Sequence, residues 1–166
     1  MALNAYLRLK GQTSGVVKGS VKMKGYEGSI LVMAASHALE APFDSDSGLP
    51  TGTRKHRPFT ITKESDRSSP ILYGMWSTNE TIVEWELKFF APAATGSSTA
   101  ADVQTHTVKL INARIAAIRF TMPNSKNPDL QRYLEYEEVV FTYQHITWIW
   151  NEGGITAQDD WHTSAT

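Results

Sequence analysis

The sequence predicts a mainly β fold: a small antiparallel β-barrel or two-sheet sandwich with one flanking α-helix and a long extended loop. Three observations carry this. Apolar residues recur with period two along most of the chain, as in strands with one buried and one wet face. One short segment, "SSPILYGMW", has helical spacing behind a serine–proline start. Between Ser36 and Phe59 lies a polar stretch, rich in proline and glycine, that does not continue the strands around it.

Taken in order, Leu3, Ala5, Leu7 and Leu9 alternate with Asn4, Tyr6, Arg8 and Lys10 to give a first strand. Val17, Val21 and Met23 alternate with Lys18, Ser20, Lys22 and Lys24 and predict a second. Ile30 to Ala35 is apolar on both parities, which admits cover on both sides. The helix is predicted with Ser69 as N-cap and Pro70 at its first position, where a missing N–H costs nothing. Asp66 complements its dipole, and Ile71, Leu72, Met75 and Trp76 share helical spacing. Val83, Trp85, Leu87 and Phe89 define another strand. Val108 to Phe120 changes parity near Ile111, which reads as a bulge or as two strands run together. Glu138 to Trp150 reads as one long strand with two apolar faces: Phe141, Tyr143 and Ile149 on one, Ile146, Trp148 and Trp150 on the other. Either a second layer or another subunit must cover the second face. Two further loops are predicted, Ala91 to Asp102 and Thr121 to Leu134.

The long loop invites a search for chemistry. "DSDSG" from Asp44 resembles the start of a calcium loop, but glycine stands at the fifth position and Leu49-Pro50 follow. "GLPTGTRK" is one residue short of a phosphate loop and lacks its Gly-Lys-Ser/Thr. Asp44 and His56 could serve a hydrolase, yet no G-x-S-x-G elbow exists to supply a serine. His37, His56, His106, His145 and His162 contain no H-x-x-x-H pair for zinc. Glu137 and Glu138 are adjacent strand positions pointing to opposite faces, so they cannot share one substrate. The expectation is therefore a non-enzyme with no cofactor and no metal. Loops beyond about 12–15 residues are uncommon in compact domains unless functional, and prolines at 42, 50 and 58 limit the unfolded ensemble of this one. It reads as a docking segment.

Composition agrees. A chain of 166 residues is most simply one domain, large enough for an ordinary core. Sixteen basic and seventeen acidic side chains give a net charge of −1, which offers no attraction to nucleic acid or anionic membrane. There is no cysteine, so no disulfide framework and no thiolate chemistry. Arg8 and Lys10 interrupt any signal-peptide core, and the aliphatic run Ile30 to Ala35 is far short of the ~18 residues of a membrane span. A protein that is cytoplasmic when made is expected.

Four stretches together carry a resemblance: "GSVKMKGYEGSILVMAASHALEAP", "SGLPTGTRKHRPFTITKESDRSSPILY", "YEEVVFTYQHITWIW" and "GGITAQDDW". They resemble the haemolysin-coregulated protein family, the tube proteins of bacterial type VI secretion, over nearly the whole chain. The resemblance implies one tube domain over residues 1–161 with a tail at 162–166. It implies six-membered rings that stack into a hollow tube, with effectors carried in the lumen and spike and sheath proteins as partners. Export by the type VI system follows from it. No fused toxin domain is expected, since five residues follow Trp161. In the family the long loop reaches neighbouring subunits, which makes Phe43, Asp44, Asp46, Leu49, Pro50, Thr51, Arg54 and Lys55 interface candidates, with Asp44 and Asp46 set against Arg54, Lys55 and Arg57. Ser36 is the lumen-facing candidate. A monomeric β-sandwich that binds carbohydrate or peptide through Trp76, Trp85, Trp148 and Trp150 is the alternative.

Overall fold

The computed structural model describes residues 4–92 and 102–162. Leu3, most of the loop predicted over 91–102, and residues 163–166 of the tail lie outside them. The strands are β1 (Asn4–Gly11), β2 (Gly15–Val17), β3 (Ile30–Val32), β4 (Ala34–Ser36), β5 (Leu39–Glu40), β6 (Lys55–His56) and β7 (Phe59–Glu64). After the helix α1 (Ser69–Ser77) come β8 (Ile82–Ala91), β9 (Val103–Ile111), β10 (Arg114–Thr121), β11 (Tyr136–Thr142), β12 (His145–Trp150) and β13 (Ile155–Asp160).

All but β5 and β6, which pair with each other, form two facing antiparallel sheets. The larger runs β13-β12-β9-β8-β1-β2, with β3 also on β1; the smaller runs β10-β11-β7-β4. The sheets do not close into one continuous barrel, so the sandwich is the better description. Trp85 of the large sheet meets Phe59 and Phe141 of the small one edge-to-face, at centroid distances of 5.1 and 5.5 Å. Leu7, Leu9, Ile30, Leu87, Val108 and Leu110 fill the core from one side and Ile61, Ile115 and Val139 from the other.

The chain crosses from sheet to sheet four times, once through α1 between β7 and β8 and three times at direct corners, between β3 and β4, between β9 and β10, and between β11 and β12. Each crossing exchanges the parity that faces the core, because the two sheets present opposite faces to it. This corrects one expectation and decides between two readings of another segment. Glu138 to Trp150 is two strands: Val139, Phe141 and Tyr143 point inward before the corner, Ile146 and Trp148 after it. Both of its apolar parities thus serve one core, and only Trp150 is left largely exposed. The Val108 to Phe120 segment is likewise two strands, turned at Asn112, which has a φ of 52°. Ile30 to Ala35 is covered on one side only, with Ile30 and Val32 buried and Leu31 and Met33 exposed. The predicted second strand is short. It ends at Val17, and the chain then runs irregularly to Ile30 with Met23 exposed.

The helix forms as predicted but starts one residue early, with Ser68 as N-cap and Pro70 at the second helical position. Leu72 and Met75 are buried, whereas Ile71 and Trp76 are exposed. Its first turn sits on a buried charged cluster. Lys63, 1% exposed, gives its three N–H bonds to Ser69 Oγ (2.9 Å), Glu137 Oε2 (3.2 Å) and Asp66 Oδ1 (3.1 Å). Ser69 Oγ also accepts from the Asp66 N–H and donates to Glu137 Oε2 (2.9 Å), so its bonding capacity is filled. Asp66 Oδ1 accepts from Ser68 N, and Oδ2 from Ser20 N. One cluster thereby joins β7, β11, α1 and the segment after β2.

Candidate assembly arm and its root

The long loop is a hairpin arm with its own two-stranded sheet. β5 pairs with β6 through Leu39↔His56 and Glu40↔Lys55. Further out, Phe43 and Pro50 form an isolated bridge, and Thr51 N donates to Pro42 O (2.9 Å). Asp44 closes the tip. Its Oδ1 accepts from Asp46 N (3.0 Å), Ser47 N (2.7 Å) and Ser47 Oγ (2.9 Å), and its carbonyl accepts from Gly48 N (2.8 Å). Gly48 has a φ of +71°, a conformation that favours glycine. These bonds hold the Asp44 carboxyl below the usual carboxylate range, the Ser47 amide contributing most.

The arm presents its apolar groups to solvent: Phe43 is 67% exposed and Leu49 65%. Asp44, Asp46, Pro50, Thr51 and Lys55 are also exposed. Of the basic residues set in sequence against Asp44 and Asp46, Lys55 is exposed, while Arg54 and Arg57 have partners within the chain. Arg54 reaches 105 residues along the chain to β13, where Nε donates to Asp159 Oδ2 and Nη2 to Oδ1, both at 2.6 Å. Arg57 pairs with Glu40 on the facing leg of the arm at 2.8 Å. Arg54 is therefore a root residue, while Phe43 to Thr51 make the tip. Ser36 lies exposed at the end of β4, opposite Thr60, on an edge strand of the small sheet.

The root extends inward from Arg54. His56 is buried, its Nε2 2.8 Å from Asp159 Oδ2 and its Nδ1 2.8 Å from the Tyr143 hydroxyl. The same hydroxyl lies 2.8 Å from His37 Nε2. Trp161 stacks on the His56 ring at 5.7 Å, and His37 stacks on Phe59 at 5.3 Å. The bonds from Arg54 hold the Asp159 carboxyl far below its ordinary range, against a smaller opposing effect of burial. Burial, then the Asp159 charge, raises the Tyr143 phenol.

Sequence reading weighed His56 with Asp44 as a hydrolytic pair. The carboxylate that meets His56 is Asp159, and both nitrogens of the buried ring are engaged. This arrangement fastens one segment to another. Asp159, Tyr143 and Glu40 were missed as root residues, because no spacing rule connects positions so far apart. The one available signal was the stretch "GGITAQDDW" among those carrying the family resemblance.

Comparison with known proteins fits this architecture. The family described as "Type VI secretion system effector, Hcp" matches residues 6–150. The "Major exported protein" of Pseudomonas aeruginosa is 30% identical, over 98% of both chains. A crystal structure titled as an Hcp protein superposes with a TM-score of 0.88 at 27% identity, covering 98% of this chain and 99% of that one. A mutant form of the Hcp1 protein from E. coli EAEC 042 superposes at 0.80 with 35% identity, covering 95% and 98%. Matched across most of its length by the family and along its whole fold by solved members, the chain belongs to the Hcp family of type VI secretion proteins.

Proposed function

We propose that the chain is a structural subunit of the type VI secretion tube. Copies assemble into six-membered rings, the rings stack into a hollow tube, and effectors travel in the lumen past Ser36. Export is by the same system. Family membership and the exported relative support this reading. The observation that carries the arm's part in it is the tip itself. Phe43 and Leu49 stand in solvent on a hairpin whose root is clamped to the body. Exposed apolar anchors on an ordered support lose little conformational entropy when they dock. Asp44 and Asp46 add two carboxylates beside them, suited to a head-to-tail contact in which the two surfaces differ.

The test shortens the tip and spares the root. Replacing residues 44–49 by Asn-Gly, a turn suited to a two-residue hairpin, keeps Arg54, His56 and the Glu40–Arg57 pair. Light scattering should still find the ring, while electron microscopy finds no stacked tubes and secretion stops. Normal tubes and normal export would reduce the tip to a connector. A monomer at micromolar concentration in the unaltered protein would sink the tube reading and favour the binding module.

A further inference from the structure

We propose that the arm tip of one copy docks in a groove on the outer face of another copy's large sheet, and that this contact joins one ring to the next. The inference rests on the tube reading above and names the surface that receives the tip.

Strand register builds the groove. Lys10 of β1 stands opposite Val16 of β2 on one side and Glu84 of β8 on the other. Trp85 stands opposite Leu110 of β9, so Ile111 comes beside Glu84 in the same row. The neighbouring row carries Glu86 opposite Lys109. Over these rows lies a groove of about 580 Å³ whose exposed apolar side chains are Val16, Val83 and Ile111. Single apolar groups on a wet sheet face are ordinary, but three around one hollow mark a contact surface. The tip offers the matching pair, Phe43 and Leu49, both exposed. The arm is rooted on β13, at one end of the large sheet, whereas the groove spans β9, β8, β1 and β2 toward the other end. Tip and groove are thus different surfaces of one chain, and a contact between them can repeat head to tail from copy to copy.

Charge selects this groove for this tip. Residues 43–51 hold Asp44 and Asp46 and no basic side chain, a charge of −2. On the receiving face Arg8, Lys10, Lys88 and Lys109 stand with Glu84 and Glu86, four cations to two carboxylates and a charge of +2. The whole chain is at −1, so this excess is local. Glu86 is shared by Lys88 at 3.0 Å and Lys109 at 3.1 Å. Lys10 lies 3.9 Å from a Glu84 carboxylate that is itself mostly exposed, and such a pair contributes little. Arg8 is bonded to neutral acceptors, Ser29 Oγ and Gly25 O. An ammonium has three donors, so Lys10 and Lys109 can each take an incoming carboxylate without releasing the one they hold. Asp44 closes its turn through Oδ1, which leaves Oδ2 for a partner. The apolar pair anchors the tip, and the opposed charges bring it to the groove in one orientation.

The chain has no cysteine, so introduced thiols report without background. Ser45→Cys places one on the exposed tip and leaves Phe43 and Leu49 in place; Val16→Cys places one in the groove. The two full-length variants, prepared separately and mixed under conditions that give tubes, should be joined by a short bis-maleimide into a two-chain product on a denaturing gel. Neither variant alone should give it. Nor should Ser45→Cys mixed with Thr156→Cys, an exposed position on β13 at the other end of the sheet. Lys10→Glu added to the groove variant, or Asp46→Lys added to the tip variant, should lower the yield by up to about fivefold at low salt. The two reversals together should restore it, and high salt should level the differences. Light scattering and electron microscopy of the same samples separate two failures. Tubes without the Ser45–Val16 product, an equal product from Thr156, or no rescue by the paired reversals would overturn the groove and leave the tube reading standing. An unaltered protein that forms neither rings nor tubes would overturn the tube reading and the groove with it.

Discussion

The cluster beneath α1 gives the sharpest stability test. Glu137→Ala leaves Lys63 buried with Asp66 as its remaining carboxylate, and leaves the Ser69 hydroxyl without its acceptor. Glu137 is only 2% exposed and Lys63 1%, so water cannot replace what is lost. Removing one partner of such a pair costs about 3–5 kcal/mol. Against a total stability of about 5–15 kcal/mol that is a large fraction. For a domain of this size it lowers Tm by about 10 °C or more. Lys63→Met should cost a similar amount, because it strands the Glu137 carboxylate. The double variant Lys63→Met/Glu137→Leu should recover most of the loss. An apolar pair of similar volume avoids desolvating either charge, and Asp66 keeps its bonds from Ser68 and Ser20. Urea unfolding at several protein concentrations gives the three values free of any contribution from association. Two outcomes would refute the reasoning: single variants within about 0.5 kcal/mol of the unaltered protein, or a double variant no more stable than either single one.

Three further outcomes are expected. Trp148→Ala should destabilise by about 2 kcal/mol in urea, roughly half the cost for a fully buried tryptophan, because Trp148 packs on the core from a partly buried position. Gly19→Ala should cost about 1–3 kcal/mol by overpacking, since the new Cβ would lie 2.3 Å from Ser29 O and 2.7 Å from Ile30 Cα, both main-chain atoms; a neutral urea midpoint would show that the segment after β2 yields freely. Burial acts to raise the Asp66 carboxyl, but the Ser68 and Lys63 bonds outweigh it and hold the group below its ordinary value. Its contribution to stability is therefore full above the unfolded value near pH 3.9 and lost as pH falls through the lower folded one, so Asp66→Asn should flatten the acid limb of a stability–pH curve.

Much of this fold was legible because burial writes its period into the sequence. β1 follows its alternation except at Tyr6, which is buried on the outer face, and most of β8 follows its own; Val83 is exposed, and Phe90, outward by the same alternation, packs on Tyr6 and Tyr26. The three corners were legible only as parity changes. A strand that crosses between facing sheets must exchange its inward residues, and a one-dimensional reading cannot tell that from a bulge or from a strand covered on both sides. The error of length in Glu138 to Trp150 and the two readings left open for Val108 to Phe120 come from this single cause. Where the pattern failed outright, over Val17 to Lys24, main-chain bonds among Gly19, Val21, Gly28 and Ser29 decide the path, and these carry no side-chain signature.

Charge was less legible than hydrophobicity for a physical reason. An apolar side chain is content with any apolar neighbour, so periodicity alone places it. A buried charge needs one particular partner, and chain distance does not restrict which. "TKESDRSSP" holds Lys63, Asp66, Ser68 and Ser69, the local part of the cluster under α1, but its counter-charge Glu137 comes from β11. Glu137 and Glu138 were correctly assigned to opposite faces; that the inward one must meet a buried cation follows from the cost of burying it alone. The arm obeys the same rule. Its carboxylates come first in sequence and its basic groups after them, as though made for one another or for a neighbouring copy. In the fold Arg54 spends its guanidinium on Asp159 and Arg57 on Glu40, while Asp44 closes its own turn. What remains for a partner is the tip, two apolar side chains and an acidic edge, held out by a root that consumes the arm's arginines. An arm divided in this way can vary its tip without unfastening its base, provided Arg54, His56 and Asp159 stay in place.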